Sequence, residues 1–500
     1  MTLTGTNTWT GNFNVNEGSV VLGGTDSISD TAAVTIASGA TLSVTISETI
    51  GSLAGAGTLA LGSAILTTGS NNTSTSFTGT ITGTTGSVVK TGTSTLTLGG
   101  SNTYSGATTV NGGTLKTSTS NVIGDNSAVT VATGGVLELG GTETLGSLAG
   151  GGAVTVGGLG LTVGGDNSTT TYTGSMSGTA GMTKTGTGVM TLGGTAGLTA
   201  GYTIAQGGLT TTTLNIINDS AAVSISSGAS LTLGGGDTIG SLAGAGNVVN
   251  GGYTLTTGGN NSTTTYSGIM SGTGGLTKSG TGTMTLSGAN TYTGATDVVG
   301  GVLATTTSNV IADTSAVTVS GATLTLGGTE TIGSLAGSGG VSNAYGLTVG
   351  GNNSTTTFSG VMTGSGGLIK TGTGTMILSG SNTFTGAMNV AGGNVTTTTS
   401  AVIADTVDVT VGTGATLIMN QTETIGSLGG TGTVTLGTGS LTLAGTNDSA
   451  FGGTLTGSGL ITKTGSSTWT IATAQTGYTG TLTVTNGRIL LGPGALQNIS

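Results

Sequence analysis

The sequence predicts an all-β chain folded as a single long right-handed parallel β-helix, a solenoid with about four coils per ~94-residue repeat. Three observations carry this reading. The chain resembles itself at a fixed period, its local pattern alternates apolar residues with Thr, and Gly fills 105 of its 500 positions.

The period is read from columns of rare residues. A lone Lys recurs at Lys90, Lys184, Lys278, Lys370 and Lys463. An acid precedes the Thr-Ile/Leu-Gly-Ser-Leu string at Glu48, Glu143, Asp237, Glu330 and Glu423, and an Asp recurs at Asp30, Asp125, Asp219, Asp313 and Asp405. One aromatic column is Phe77, Tyr172, Tyr266, Phe358 and Phe451. A second is Trp9, Tyr104, Tyr292, Phe384 and Tyr478, with Leu198 in the slot between Tyr104 and Tyr292. Every column steps by 92 to 95 residues or a multiple of that, so a unit near 94 residues recurs about five times.

Within a unit the pattern has period two, as in Met284-Thr285-Leu286, Val317-Thr318-Val319 and Leu324-Thr325-Leu326. Such alternation reads as short strands with one buried face. The Gly-Gly, Ser-Gly and Asn-Asn pairs that follow read as turns. No segment shows helical spacing, and Gly and Thr are poor helix formers. Leu326-Gly327-Gly328 returns as Val349-Gly350-Gly351, which suggests a coil of 23 residues and four coils per repeat. Parallel stacking suits the composition: Gly allows close approach of coils, β-branched residues stack well, and Pro, present once, would remove a ladder donor. About 21 coils at roughly 4.8 Å give an expected length near 100 Å. A linear core needs no division, so residues 1–500 are expected to form one continuous solenoid of about five repeats without separate domains.

Composition excludes several classes. With no Cys and no His, disulfides, thiol or Ser–His nucleophiles and the usual zinc sites are absent. Seven Lys and Arg cannot make a phosphate-tracking surface. Charged residues are 5% and apolar ones 34%, unlike a disordered chain. Gly, Thr and Ser interrupt every apolar run before it reaches membrane-spanning length. The opening Met1-Thr2-Leu3-Thr4-Gly5 has no basic or apolar character of a signal peptide. It aligns with Met284-Thr285-Leu286-Ser287-Gly288, so the chain is expected to begin mid-repeat, and to stop mid-repeat after Gly494-Ala495-Leu496-Gln497.

The string Gly274-Gly275-Leu276-Thr277-Lys278-Ser279-Gly280-Thr281-Gly282-Thr283-Met284-Thr285-Leu286-Ser287-Gly288-Ala289-Asn290-Thr291-Tyr292-Thr293-Gly294 resembles the autotransporter-associated β-strand repeat. Degraded copies lie at 178–201, 364–386 and 457–480, and a partial one at 83–106. The resemblance implies a passenger-type β-helix of a type V secreted protein, at the bacterial cell surface or outside the cell. It implies no activity.

Each chemistry-bearing column has a structural reading. The Lys column reads as isolated, solvated turn residues, too far apart for a patch. The Asp column reads as Asx-turns, the nonapeptide of calcium β-rolls being missing. The two acid columns lie most of a coil apart, a spacing compatible with a glycosidase pair, but five copies without a tuning cation argue against one. Asn71, Asn167, Asn260 and Asn352 begin Asn-rich turns that contain glycosylation patterns and read as stacked turn residues. The aromatic columns read as core or corner fillers rather than sugar platforms. The expectation is therefore no catalytic, cofactor-binding or metal residues, no cofactor, and no enzyme. The expected function is a non-enzymatic extracellular rod, either a surface shaft or adhesin-like passenger segment. The alternative is a filament subunit that associates end to end through uncapped coils. Thr169-Thr170-Thr171, Thr263-Thr264-Thr265 and Thr355-Thr356-Thr357 leave an ice-binding solenoid as a minor alternative. Any cell-surface or glycan receptor is unknown from the sequence, and no nucleic-acid partner is expected.

Overall fold

The computed structural model describes residues 1–7 and 9–495. Leu496 and Gln497, in the segment read as an open terminus, lie outside them. The described chain is all strand and turn, without helix, and every strand register is parallel. By internal contacts it falls into two units, Met1–Val249 and Asn250–Ser500. Among the described residues no helix is long and apolar enough to cross a membrane.

A coil in the first unit shows the construction. The chain runs through Ile65–Thr68, Thr75–Phe77 and Thr80–Thr82, each in a different stack. Ser87–Lys90 then lies on Ile65–Thr68 with Val88 over Leu66. Alternation decides the burial: in Thr95–Leu98 the two Leu point inward and the two Thr outward. Leu96, Leu115, Leu137, Val154 and Met176 form one such inward ladder, all buried. Each buried aliphatic side chain stabilises by about 1.5–3 kcal/mol relative to exposure. The second unit repeats the pattern, for example through Leu347, Leu368, Met388 and Val409.

The parallel solenoid expected from the sequence is observed, at about 24 turns. Its coils are shorter than 23 residues. The step from Leu42 to its partner Leu59 is 17 residues, and from Leu59 to Ile81 it is 22. Leu326 and Val349 are accordingly not one coil apart. Leu326 pairs with Asn343, whereas Val349 pairs with Ile332 in another stack. The expected count of about four coils per repeat becomes four and two-thirds. From Glu48–Ile50 to the equivalent Glu143–Leu145 the chain makes twelve strands and two corners without a strand. Fourteen sides on a three-sided coil shift each motif by one side per repeat. In the first unit Ser52–Gly55 therefore stacks with Ala33–Ile36, Ser147–Gly150 with Ala128–Val131 in a second stack, and Ser241–Gly244 with Ala222–Ile225 in a third.

The two strandless corners per repeat occupy, in the first copy, residues 99–107 and 118–127. A side-chain amide replaces the missing ladder. Asn102 Oδ1 accepts from Ile81 N at 2.6 Å, and its Nδ2 donates to Val122 O at 2.6 Å, so one buried side chain links the coils on either side. Asn290 does the same between Met270 N and Val310 O, and Asn382 between Met362 N and Val402 O. The second repeat has no such Asn. There Ala196–Leu198 forms a true strand on Met176–Gly178, and Ala196 bridges to Ile217.

Glycine is required where coils touch at corners. A Cβ on Gly79 would lie 1.8 Å from Gly57 O, and one on Gly100 would lie 1.8 Å from Gly79 O.

Ile239 sits fully inside its coil, whereas Thr130 faces solvent on its strand. Ile239→Asp is expected to cost about 3–5 kcal/mol, because it places an unpaired carboxylate in a dry stack. Thr130→Asp is expected to stay within about 0.5 kcal/mol. Urea unfolding followed by circular dichroism compares them; equal midpoints would refute the inward register.

Candidate functional site

The residues that promise chemistry are the charged columns, and most of them are inside. All five column lysines are about 1% exposed. The expectation of solvated turn lysines is corrected, and the reason is the strand alternation. Val88 faces inward in Ser87–Lys90, so Lys90 two positions later does too. Met182 and Lys184 repeat the relation, as do Leu276 and Lys278.

What meets each ammonium is backbone carbonyl, not carboxylate. Lys278 Nζ donates to Ser279 O at 2.5 Å, Gly300 O at 3.1 Å and Gly280 O at 3.2 Å. Lys370 donates to Thr371 O at 2.5 Å, Gly392 O at 3.3 Å and Gly372 O at 3.4 Å. Lys90 reaches Thr91 O and Gly112 O, Lys184 reaches Thr185 O and Gly186 O, and Lys463 reaches Gly465 O. The cage is a turn that curls back over the side chain, and it needs left-handed backbone at Gly92, Gly186, Gly280 and Gly372, with φ of 65 to 66°. Asn in the preceding coil holds that turn from below: Asn72, Asn167, Asn261 and Asn353 accept from Thr93, Thr187, Thr281 and Thr373 N at 2.7 to 2.8 Å. These four Asn themselves adopt φ of 57 to 61°. Of the Asn that begin these turns, Asn167 is one of these acceptors, and Asn71 and Asn352 donate through Nδ2 to Ser52 and Ser334 Oγ at 3.0 Å, which supports the stacked-turn reading. Burial lowers the pKa of every caged Lys. Asp166 opposes that shift at Lys184, and Asp448 opposes it at Lys463.

The acid column is the complement. Glu48, Glu143, Asp237, Glu330 and Glu423 are buried. Backbone amides of the previous coil converge on them: Ile123 N on Glu143 Oε1 at 2.8 Å and Val122 N on Oε2 at 3.2 Å, Ile311 N on Glu330 Oε1 at 2.7 Å, and Ile403 N on Glu423 Oε1 at 2.8 Å. The amides of Ile28 and Ser27 hold Glu48 in the same way. Asp237, one carbon shorter, is held more loosely, at 3.3 and 3.4 Å from Ile216 N and Ile217 N. Glu330 Oε2, Glu423 Oε2 and Asp237 Oδ1 make no hydrogen bond. Burial pushes Glu143, Glu330 and Glu423 up to about 7 and Asp237 up to about 6, against the pull of these amides. Glu48 moves in the same direction. In each repeat the nearby column Asp adds to the rise.

The Asp column itself is exposed at turns. Among the described residues none of its side chains makes a hydrogen bond, so the Asx-turn reading is not supported. The glycosidase-like spacing does not produce a reactive pair, because one carboxyl of each pair is sealed inside. Lys and acid do not pair either. Ile50, Thr68 and Lys90 are successive partners in one stack, so Glu48 and Lys90 lie about two coils apart, roughly 10 Å. Among the described residues the one ion pair joins Lys116 to Glu138 at the surface, and no group of three or more acidic residues is placed to hold a metal ion.

The aromatic columns fill the core as expected, from Phe77 to Phe451 and from Tyr104 to Tyr478. Trp9 departs: it is 46% exposed and stacks on Phe13 at 6.2 Å. Tyr104 and Tyr292 bond Thr108 and Thr296, which reach Ser127 and Ser315 across the coil.

Lysine cage, Asn bridge and aromatic filler follow one another within some thirty residues, at 276–304 in the third repeat. The passenger-associated-transport-repeat family model matches that stretch, and also 1–22, 88–116, 368–396 and 461–491. The family model therefore matches the chain at five positions, one in each of five repeats. No match falls at 178–201, where a strand replaces the Asn bridge. No curated protein and no solved structure matches the chain. The repeat matched by the family thus encodes the corner where the solenoid lacks a strand.

Two predictions follow from the buried charges. Lys278→Ala leaves three carbonyls without their donor and is expected to cost about 2–4 kcal/mol. Lys116→Ala, at an exposed pair, is expected to cost less than about 1 kcal/mol. Equal losses in chemical denaturation would place Lys278 in solvent. The acids set a pH dependence. Well below pH 4 they are protonated in both folded and unfolded chains. Between 4.5 and about 7 the unfolded chain releases protons that the folded chain keeps, so stability falls as pH rises. The melting temperature of Glu143→Gln/Glu330→Gln/Glu423→Gln is expected to fall less across that window than that of the parent, whereas Glu138→Gln at the surface should follow the parent. A triple variant as steep as the parent would show that the three carboxyls ionise normally.

Proposed function

We propose that the chain is a non-enzymatic structural rod of an autotransporter-like passenger, displayed at the bacterial cell surface or outside the cell as a shaft or adhesin-like segment. The observation that supports this reading is the coincidence of five matches to the passenger repeat with a parallel solenoid whose buried charged groups are spent on its own backbone. A carboxyl or an ammonium sealed inside the coil and held by backbone groups is not presented to a substrate.

The proposal keeps one uninterrupted solenoid from 1 to 500, which small-angle scattering tests through a maximum dimension of roughly 100 Å or more. Fusing the chain to an outer-membrane translocator tests display. Externally added protease should release it from intact cells, and retention in the periplasm would refute the passenger reading. In a panel of peptide, ester and glycan substrates the purified chain is expected to be inactive. Turnover abolished by Asp125→Asn or Glu143→Gln would make it an enzyme instead. Filament formation by end-to-end association is the competing reading, and light scattering over a concentration series separates it from a stable monomer.

A further inference from the structure

Outward faces of the coils are mostly level Thr ladders, but in two repeats a trough is cut into them. Its cause is a run of missing side chains at the start of successive strands. In the fourth repeat Gly346 pairs with Gly367, and Ala387 follows in the next coil. In the second repeat Gly181 pairs with Gly201. Each run opens a groove of about 300 Å³ beside a corner residue that stands into solvent, Tyr345 in the fourth repeat and Leu159 in the second. In the first repeat larger residues fill these positions, where Ile65 pairs with Ser87.

The Tyr345 groove has a distinctive chemistry. The ring is 62% exposed, although the column aromatics of this repeat, Phe358 and Phe384, are buried. The floor is glycine backbone, and the far side carries Ile369, 40% exposed, between Thr348 and Asn389 on neighbouring coils. Thr329 completes the lining, and no charged residue contributes. Among the described residues the Thr329 and Thr348 hydroxyls and the Asn389 amide have no hydrogen-bond partner within the chain, so neutral donors and acceptors remain available beside an exposed ring.

We infer that this groove is a binding site for a neutral saccharide, with Tyr345 as the stacking face and Thr329, Thr348 and Asn389 as hydroxyl partners. A pyranose offers that combination: an apolar C–H face for a ring and a belt of uncharged hydroxyls for amide and hydroxyl groups. Competing ligand classes fit less well. An extended peptide adds to a sheet through free backbone edges, whereas here the ladders of Gly346–Val349, Gly367–Lys370 and Met388–Val390 are already paired on both sides. Phosphate or sulfate groups would find no cation. An acyl chain would leave the amide and hydroxyls unpaired. The inference does not depend on where the chain is displayed.

The test uses the purified full chain with cellotetraose, laminaritetraose, mannotetraose and chitotetraose, and a sulfated heparin tetrasaccharide as the charged comparison. Saturation-transfer NMR and titration calorimetry read binding. At least one neutral tetrasaccharide is expected to bind with Kd at or below about 10 mM, and Tyr345→Ala to weaken it by about tenfold or more. Ala387→Trp, at an exposed position, fills the trough and is expected to do the same. Tyr253→Ala, outside the groove, should leave affinity unchanged, and unchanged circular dichroism confirms that the variants fold. The inference is overturned if no neutral tetrasaccharide binds at about 10 mM. It is equally overturned if Tyr345→Ala and Ala387→Trp bind as the parent does, or if only the sulfated oligosaccharide binds.

Discussion

Hydrogen bonding between the backbones of successive coils is the constraint on which this structure depends. The strands are two to five residues long and too short to be stable alone, so their amides and carbonyls must be met by the coils on either side. Where a strand runs, the ladder meets them. Where it does not, another group must, and the molecule supplies one at each place: the Asn102 amide at a strandless corner, the Lys278 ammonium over converging carbonyls, the Glu143 carboxyl beneath converging amides. These side chains differ in charge but share a task. Each satisfies backbone groups that geometry has withdrawn from the ladder and water cannot reach.

This explains why charged groups sit inside a chain with so few of them. A buried ion normally needs an opposite ion, and such pairs seldom repay their desolvation. Here the opposite partner is a set of oriented peptide dipoles, fixed by turns that Gly and Asn hold in left-handed conformations. The arrangement is asymmetric. Three carbonyls meet the ammonium of Lys278 and of Lys370, whereas Glu330 and Glu423 leave one oxygen unmet and are pushed toward the protonated form. Lysine is therefore the firmer strut, and the acid is the one that pH reaches.

Much of this was legible in the sequence. The period follows from any column of rare residues, and alternation such as Thr95-Leu96-Thr97-Leu98 assigns strands and their inner faces. The same alternation places Lys90 and Glu48 inside, because each is two residues from an inward apolar neighbour. Their formal charge argued the other way, and only the converging carbonyls and amides, which come from other coils, reverse that argument. The Asn bridge was not legible. Asn102 looks like any turn Asn until Ile81 and Val122, some twenty residues away on either side, are known to flank it. Coil length was misjudged because corners differ in residue count, so a step of 17 and a step of 22 both close one turn. The trough beside Tyr345 needs strand register as well as composition, since isolated glycines in a chain this rich in glycine carry little information.

The fourteen-sided repeat has a consequence for how such a chain can evolve. Recombination between two copies of the repeat removes or adds one whole unit and joins matching cross-sections, so no ladder is broken and no corner is lost. Yet everything beyond the junction is carried one side around the coil. A length change that leaves stability untouched thus reorients the surface features that follow, and only the gain or loss of three repeats restores their original direction. In a solenoid of this kind, copy number sets azimuth as well as reach, and selection on what a surface feature faces is also selection on how many repeats precede it.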